Sequence, residues 1–330
     1  MSRPAAAERT AARLARCYPA AWRARYGAEF TQLLIDELSD GPMAFSRRLD
    51  VVAHGLWTRL GYAGVAGTVA PAPQRLRALL LALGGVLGAF ALAAVALWSE
   101  LNVGWRFSAP ASADTRTAAW LMSAAVIGLA GVVTALVCGA SALLAARWRA
   151  GATPGLARWT LVWFGAALVL YLGCRHLAPH WPGSGGHARA GGAFVPTQLA
   201  RLGWAATLWI SAYWAHPGAL GAFPAAEVAW MVVCPVAWLV LFIAAAAVLR
   251  RLALSARLQR WAVGTFAAAV ALMVLFLAGA VAWLGAADPG PRNLSAVGAI
   301  DLGLVAALAG GLILATHLVH RAGALAPVPR

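Results

Sequence analysis

Lysine is absent from all 330 residues, and each of the 26 basic residues is an arginine. The absence excludes chemistry. A P-loop uses a lysine to reach the β- and γ-phosphates. Protein kinases need a strand lysine, and Schiff-base enzymes need a lysine amine. Acids are scarce as well, with only 11 Asp and Glu. Charged residues make up 11% of the chain, where a soluble domain carries about 25%. The four cysteines, Cys17, Cys138, Cys174 and Cys234, form no CxxC pair. Three lie in or beside apolar runs, where cysteine behaves as a small hydrophobe, so no structural disulfide is expected. No secretory signal is expected either, because the first long apolar run begins only after residue 77.

What is abundant is apolar. Hydrophobic residues make up 62% of the chain and the mean hydropathy is +0.74. The wealth of Ala, Gly, Arg, Pro and Leu suggests a high-GC bacterial genome, and hence a bacterial cytoplasmic membrane. The net charge of +15 fits either nucleic acid or an anionic membrane face. The arginines flank apolar runs and form no continuous stripe. The membrane reading is therefore preferred, with the lipid bilayer as partner and no direct role for nucleic acid.

Six spanning helices are predicted, at about 78–98, 117–146, 159–174, 228–249, 261–285 and 295–319. No charge interrupts Arg77 to Glu100, Arg116 to Arg147, Glu227 to Arg250 or Arg260 to Asp288. Such intervals meet the roughly 17–25 residues needed to cross hydrocarbon. The third is short, with 16 uncharged residues between Arg158 and Arg175. It still spans if both arginines snorkel outward. The fold class expected is all-α, since helices satisfy the backbone in lipid. With the N-terminus inside, 20 of the 26 arginines fall on the inner side, as the positive-inside rule requires. Both termini are then cytoplasmic, with residues 321–330 as an inner tail and 175–227 as a long outer loop.

Within that loop, residues 202–215 are apolar and carry Trp204, Trp209, Tyr213 and Trp214. A seventh span there would place Arg250, Arg251, Arg257 and Arg260 outside. An interfacial or re-entrant helix is expected instead, at the depth that Trp and Tyr prefer. The preceding stretch, residues 183–192, reads as a flexible loop.

Residues 1–75 read as a cytoplasmic helical domain with its linker. Pro4 suits a helix start, with a helix to about Cys17. Pro19 is expected to start a short helix that Gly27 ends. Phe30, Leu33, Leu34 and Leu38 recur at helical spacing until Asp40-Gly41-Pro42 stops them. Phe45, Leu49, Val52, Leu56 and Leu60 form a further apolar stripe.

Tyr18, Trp22 and Tyr26 have i, i+4, i+8 spacing and would share one helical face. Arg23 and Arg25 project elsewhere, with Glu29 a partner for Arg25. The aromatics can be the core of this small domain. Alternatively Tyr18, Trp22, Arg23, Arg25, Tyr26 and Glu29 form a docking face for a protein or for anionic lipid. The stretch YPAAWRARYGAEFTQLL, starting at Tyr18, resembles the YPxxWRxRYGxEF prefix of uncharacterised actinobacterial membrane proteins. It is also similar to the prefix domains of some permeases and to helical signalling domains encoded beside PadR-type regulators. The resemblance covers about residues 10–60. It implies a cytoplasmic module that recruits a transcriptional regulator or an ABC-transporter component. A second copy of the chain is a further candidate partner.

Candidate chemistry elsewhere is sparse, and neither a cofactor nor an enzymatic activity is expected. Asp301 is an acid within the sixth span, and intramembrane acids are functional suspects; an interfacial pair with Arg292 or Arg175 is the other reading. Cys174, His176, His180 and His187 cluster at the outer end of the third span, the histidines being weak metal candidates. Glu100 and Glu227 mark outer helix ends. Ser141 on the second span and His317 on the sixth faintly resemble an intramembrane serine hydrolase; His317 and His320 also suit a helix C-terminus. Gly84 and Gly88 suggest a close helix contact, and Pro235 a kink. The leading expectation is a non-enzymatic signalling or accessory membrane protein. A small-solute permease, built on an inverted repeat of three spans, comes second.

Overall fold

The computed structural model describes residues 3–65, 70–103, 113–151, 153–180, 197–210, 212–213, 221, 223–252, 255–286 and 297–325. Among these the side chains of 3–6, 99–103, 113–116, 197–200, 286 and 297–302 are not described. Every long element among the described residues is an α-helix: α1 (Arg3–Ala15), α2 (Ala20–Asp40), α3 (Phe45–Ala63), α4 (Ala72–Val103), α5 (Ala113–Arg149), α6 (Pro154–Leu177), α7 (Thr197–Ile210), α8 (Ala225–Arg251), α9 (Ala256–Ala286) and α10 (Val297–Leu325). The chain divides into two compact units, Met1–Ala82 and Leu83–Arg330.

In the N-terminal unit Ala11, Leu14, Tyr18, Leu34, Met43 and Val51 form the buried core. Trp22, Phe30, Ile35 and Leu38 pack against it. Helix α2 is continuous from Ala20 to Asp40, so Gly27 does not end it. A glycine inside a helix costs only about 1 kcal/mol, less than the packing of a continuous apolar stripe supplies. The expected stop holds, because α2 terminates before Gly41-Pro42. At Gly55 a Cβ would lie 2.9 Å from Cys17 Cβ, so α3 crosses the α1–α2 turn at close range. There Arg59 donates hydrogen bonds to the carbonyls of Arg16 and Cys17, placing a cation on the free carbonyls that follow α1.

Helix α3 ends at Gly64, which adopts φ 87°, a left-handed conformation that favours glycine. The Val65 N–H donates to the Leu60 carbonyl at 2.9 Å and the Gly64 N–H to the Gly61 carbonyl at 3.1 Å. This doubled closure is a Schellman-type stop. A Cβ on Gly64 would sit 3.1 Å from Arg75 Cα, so the end of α3 lies against the first turns of α4.

Among the described residues, six helices are long and apolar enough to cross a membrane: Ala72–Trp98, Thr117–Arg149, Pro154–His180, Ala225–Arg251, Ala256–Gly285 and Gly303–Leu325. Each matches one of the six predicted spans. The third exceeds its 16-residue uncharged interval because α6 includes both Arg158 and Arg175. In the second unit α5 packs along α9, α6 along α8, and α9 against α10. The Phe90 ring of α4 meets Phe276 of α9 edge-on at 6.1 Å. Gly88 of α4 admits the Phe242 ring of α8, whereas Gly84 has nothing near it. The close contact expected of that glycine pair therefore rests on one member. Helix α8 runs unbroken through Pro235.

Candidate functional site

The YPxxWRxRYGxEF stretch separates into a buried half and an exposed half. Pro19 is extended (φ −60°, ψ 151°) and caps α2. Tyr18 therefore lies before the helix and does not share a helical face with Trp22 and Tyr26. The rings assemble nonetheless. Tyr18 stacks on Trp22 at 4.2 Å and meets Phe30 edge-on at 4.9 Å. Trp22 meets Phe30 at 5.4 Å and Tyr26 at 5.4 Å. Each such aromatic pair adds about 0.5–1.5 kcal/mol beyond its buried area. Tyr18 is 3% exposed, and its phenol is pushed above the usual tyrosine range, first by burial and then by the Asp50 carboxylate.

The exposed half comprises Arg23, Arg25, Tyr26 and Glu29. Arg25 lies over the Tyr26 ring at 5.2 Å, a cation–π contact. It forms no ion pair with Glu29, the partner that the spacing suggested. The ring competes well because an exposed ion pair contributes little in water. Leu33, one turn beyond Glu29 on α2, is also exposed. Among the described residues, Arg47 joins α2 to α3, at 3.2 Å from Glu37 and 2.9 Å from Asp50. Its hydrogen bond to Glu37, with the charges of both carboxylates, holds the guanidinium above its ordinary range.

In the second unit α7 is embedded against three helices. Trp204, Ala205, Thr207 and Leu208 are buried. Gly203 lies against Val95 of α4, and α7 also packs on α6 and α8. Three residues of α8, spaced four apart, donate to adjacent α7 carbonyls. Trp230 Nε1 reaches Ala205 O at 2.7 Å, Cys234 Sγ reaches Ala206 O at 3.3 Å, and Trp238 Nε1 reaches Ala206 O at 3.2 Å. A carbonyl has two lone pairs, so Ala205 can take the Trp230 bond beside one within α7, while Cys234 and Trp238 share the Ala206 oxygen. The Trp230 ring occupies the space beside Gly173 of α6, where a Cβ would come within 2.1 Å of it. The only sequence signal of this clamp is the Trp230, Cys234, Trp238 spacing.

The remaining candidates are dispersed. His176 and His180 lie at the end of α6 and in the 3₁₀ turn that follows it, with ring centroids 6.0 Å apart. His187 and Arg292 lie outside the described residues, as do the side chains of Asp301 and Glu100. Among the described residues no three His, Cys, Asp or Glu side chains are grouped to hold a metal ion. Ser141 lies on α5 and His317 is exposed on α10; no hydrogen bond joins them. Glu227 is buried in the first turn of α8.

No family model matches the chain, and neither a curated protein nor a solved structure matches it.

Proposed function

We propose that this multi-pass membrane protein acts as a non-enzymatic accessory or signalling protein of the bacterial cytoplasmic membrane. In this reading its N-terminal unit faces the cytoplasm and recruits a soluble partner, a transcriptional regulator or an ABC-transporter component. One observation carries the reading. The outward side of α2 presents Tyr26 (39% exposed) and Leu33 (66% exposed) beside the exposed Arg23, Arg25 and Glu29. Tyrosine and arginine are the residue types enriched at protein interfaces, and here an exposed leucine adds apolar area beside them. Tyr18 and Trp22 support that patch from beneath.

The test is purification of the full chain from its native host beside a Tyr26→Ala/Leu33→Asp variant. Both substituted side chains are exposed, so the variant retains its core. Recovery of a regulator or ATPase with the wild type, and its loss with the variant, is the expected result. Equal recovery with both, or with neither, refutes the reading.

A further inference from the structure

Within the apolar stripe of α3, Val52 packs against the core of its own unit, whereas Phe45, Leu49, Leu56 and Leu60 do not. Val51 and Gly55 are the residues that α3 buries. Phe45 (79% exposed), Leu49, Leu56 (54% exposed) and Leu60 line another side of the helix, with Trp57 exposed next to them. Within the N-terminal unit no described segment covers these side chains. Arg47, Asp50 and His54 lie on the opposite side, while Arg48 and Arg59 border the stripe. Four large apolar side chains at helical spacing, opposite a polar side, form a patch too concentrated to be scattered surface hydrophobes.

The position of α3 selects the occupant. Its C-terminal end packs on Arg75 Cα through Gly64, and Arg75 and Arg77 begin the helix of the first candidate span, Ala72–Trp98. Arginines at the start of an apolar span lie at the headgroup level. The end of α3 is therefore held at that level. Up to residue 77 the chain has 11 Arg against six Asp and Glu, a sign that suits anionic lipid at about 1 kcal/mol for each basic residue near the surface. Leu, Phe and Trp on one side of a helix, with arginine on or beside the other, is the pattern of a helix lying in the membrane interface.

We infer that α3 is a monotopic helix, seated by Phe45, Leu49, Leu56 and Leu60 in the leaflet that holds Arg75 and Arg77. The N-terminal unit is then fixed to the membrane at two points, by α4 and by the side of α3. The inference rests on the membrane reading of α4 and is independent of partner recruitment. A probe on α3 senses lipid whether or not a soluble partner exists.

The experiment uses the full chain in nanodiscs of phosphatidylcholine and phosphatidylglycerol, with Cys17→Ala and Cys138→Ala removing the accessible thiols. A nitroxide is attached at Leu56→Cys, or in a second sample at His54→Cys on the polar side. Both positions are exposed, and trypsin resistance of each labelled protein equal to wild type checks that the core, which His54 touches through Tyr18, is kept. Collision with oxygen and with a water-soluble nickel chelate gives the depth of each label. The expected result is Leu56→Cys about 5–10 Å below the headgroup boundary and His54→Cys in water. Two results overturn the inference: a fully aqueous signal at position 56, or spin–spin broadening there that shows a second copy on the stripe.

Discussion

Trp230 of α8 donates its indole N–H to the backbone carbonyl of Ala205, 2.7 Å away, while its ring fills the space beside Gly173 of α6. One side chain thus joins three helices. The bond satisfies an indole N–H within an apolar interior, where an unpaired donor would be costly.

Replacing Trp230 with Phe keeps an aromatic ring and deletes the donor. Interhelical bonds of this kind contribute about 0.6–1.7 kcal/mol in membranes. A modest fall in the thermal midpoint in detergent is expected, with faster hydrogen exchange over 197–210. Gly173→Ala is predicted to be worse, because the new methyl collides with the ring; overpacking costs about 1–3 kcal/mol. An exchange rate in α7 unchanged by both variants would contradict this account of the clamp.

In the N-terminal unit, Tyr18→Ala removes a ring that contacts Trp22 and Phe30. Truncating a buried aromatic to alanine costs about 3–5 kcal/mol. Limited trypsin digestion of the full chain, which carries exposed arginines at 23, 25 and 48, is expected to cut α2 and α3 far faster in this variant. Tyr18→Phe keeps the ring and is expected to digest at nearly the wild-type rate.

The same phenol sets an alkaline limit. Burial and Asp50 raise its folded pKa above the ordinary tyrosine value of 10.0. Between the two values the unfolded chain has already lost its proton and the folded chain has not. The contribution of Tyr18 is thus complete below pH 10 and is lost as pH rises through the folded value. Protection of the N-terminal unit from a protease active at high pH is predicted to fall above pH 10. The fall is smaller in Tyr18→Phe. Parallel curves for the two proteins would contradict the assignment.

Gly64→Ala tests the junction of α3 with α4. A left-handed conformation costs an L-residue about 1–2 kcal/mol, and the methyl would press on the Arg75 backbone. Hydrogen exchange is expected to quicken at Gly64 and Val65, whose N–H groups close the helix. Unaltered protection there would show that the turn tolerates a side chain.

The six spans were legible because bilayer thickness leaves a direct mark, the long intervals without charge. The break before Gly41-Pro42 was legible because that pair disfavours helix locally. Gly27 misled because the tertiary packing of α2 outweighs one poor helix former. The stripe on α3 was visible as periodicity, but periodicity reports a side and not what covers it. Only the structure shows that Val51 and Gly55 face the core while Phe45 and Leu56 do not. The α7 clamp was hidden for another reason. Its acceptors are backbone carbonyls, which every residue possesses, and its donors lie 25 to 32 positions away. Arg59 was hidden in the same way, since its acceptors are the Arg16 and Cys17 carbonyls.

The central claim, recruitment of a soluble partner through α2, is tested most directly by a photo-crosslinking residue at Leu33 in the full chain in living cells. The same residue at Phe164, an exposed apolar position on α6, serves as the lipid-facing control. The account predicts a discrete protein adduct at position 33, absent at position 164 and lost on Tyr26→Ala. An adduct-free position 33, or the same adduct at both sites, would contradict it.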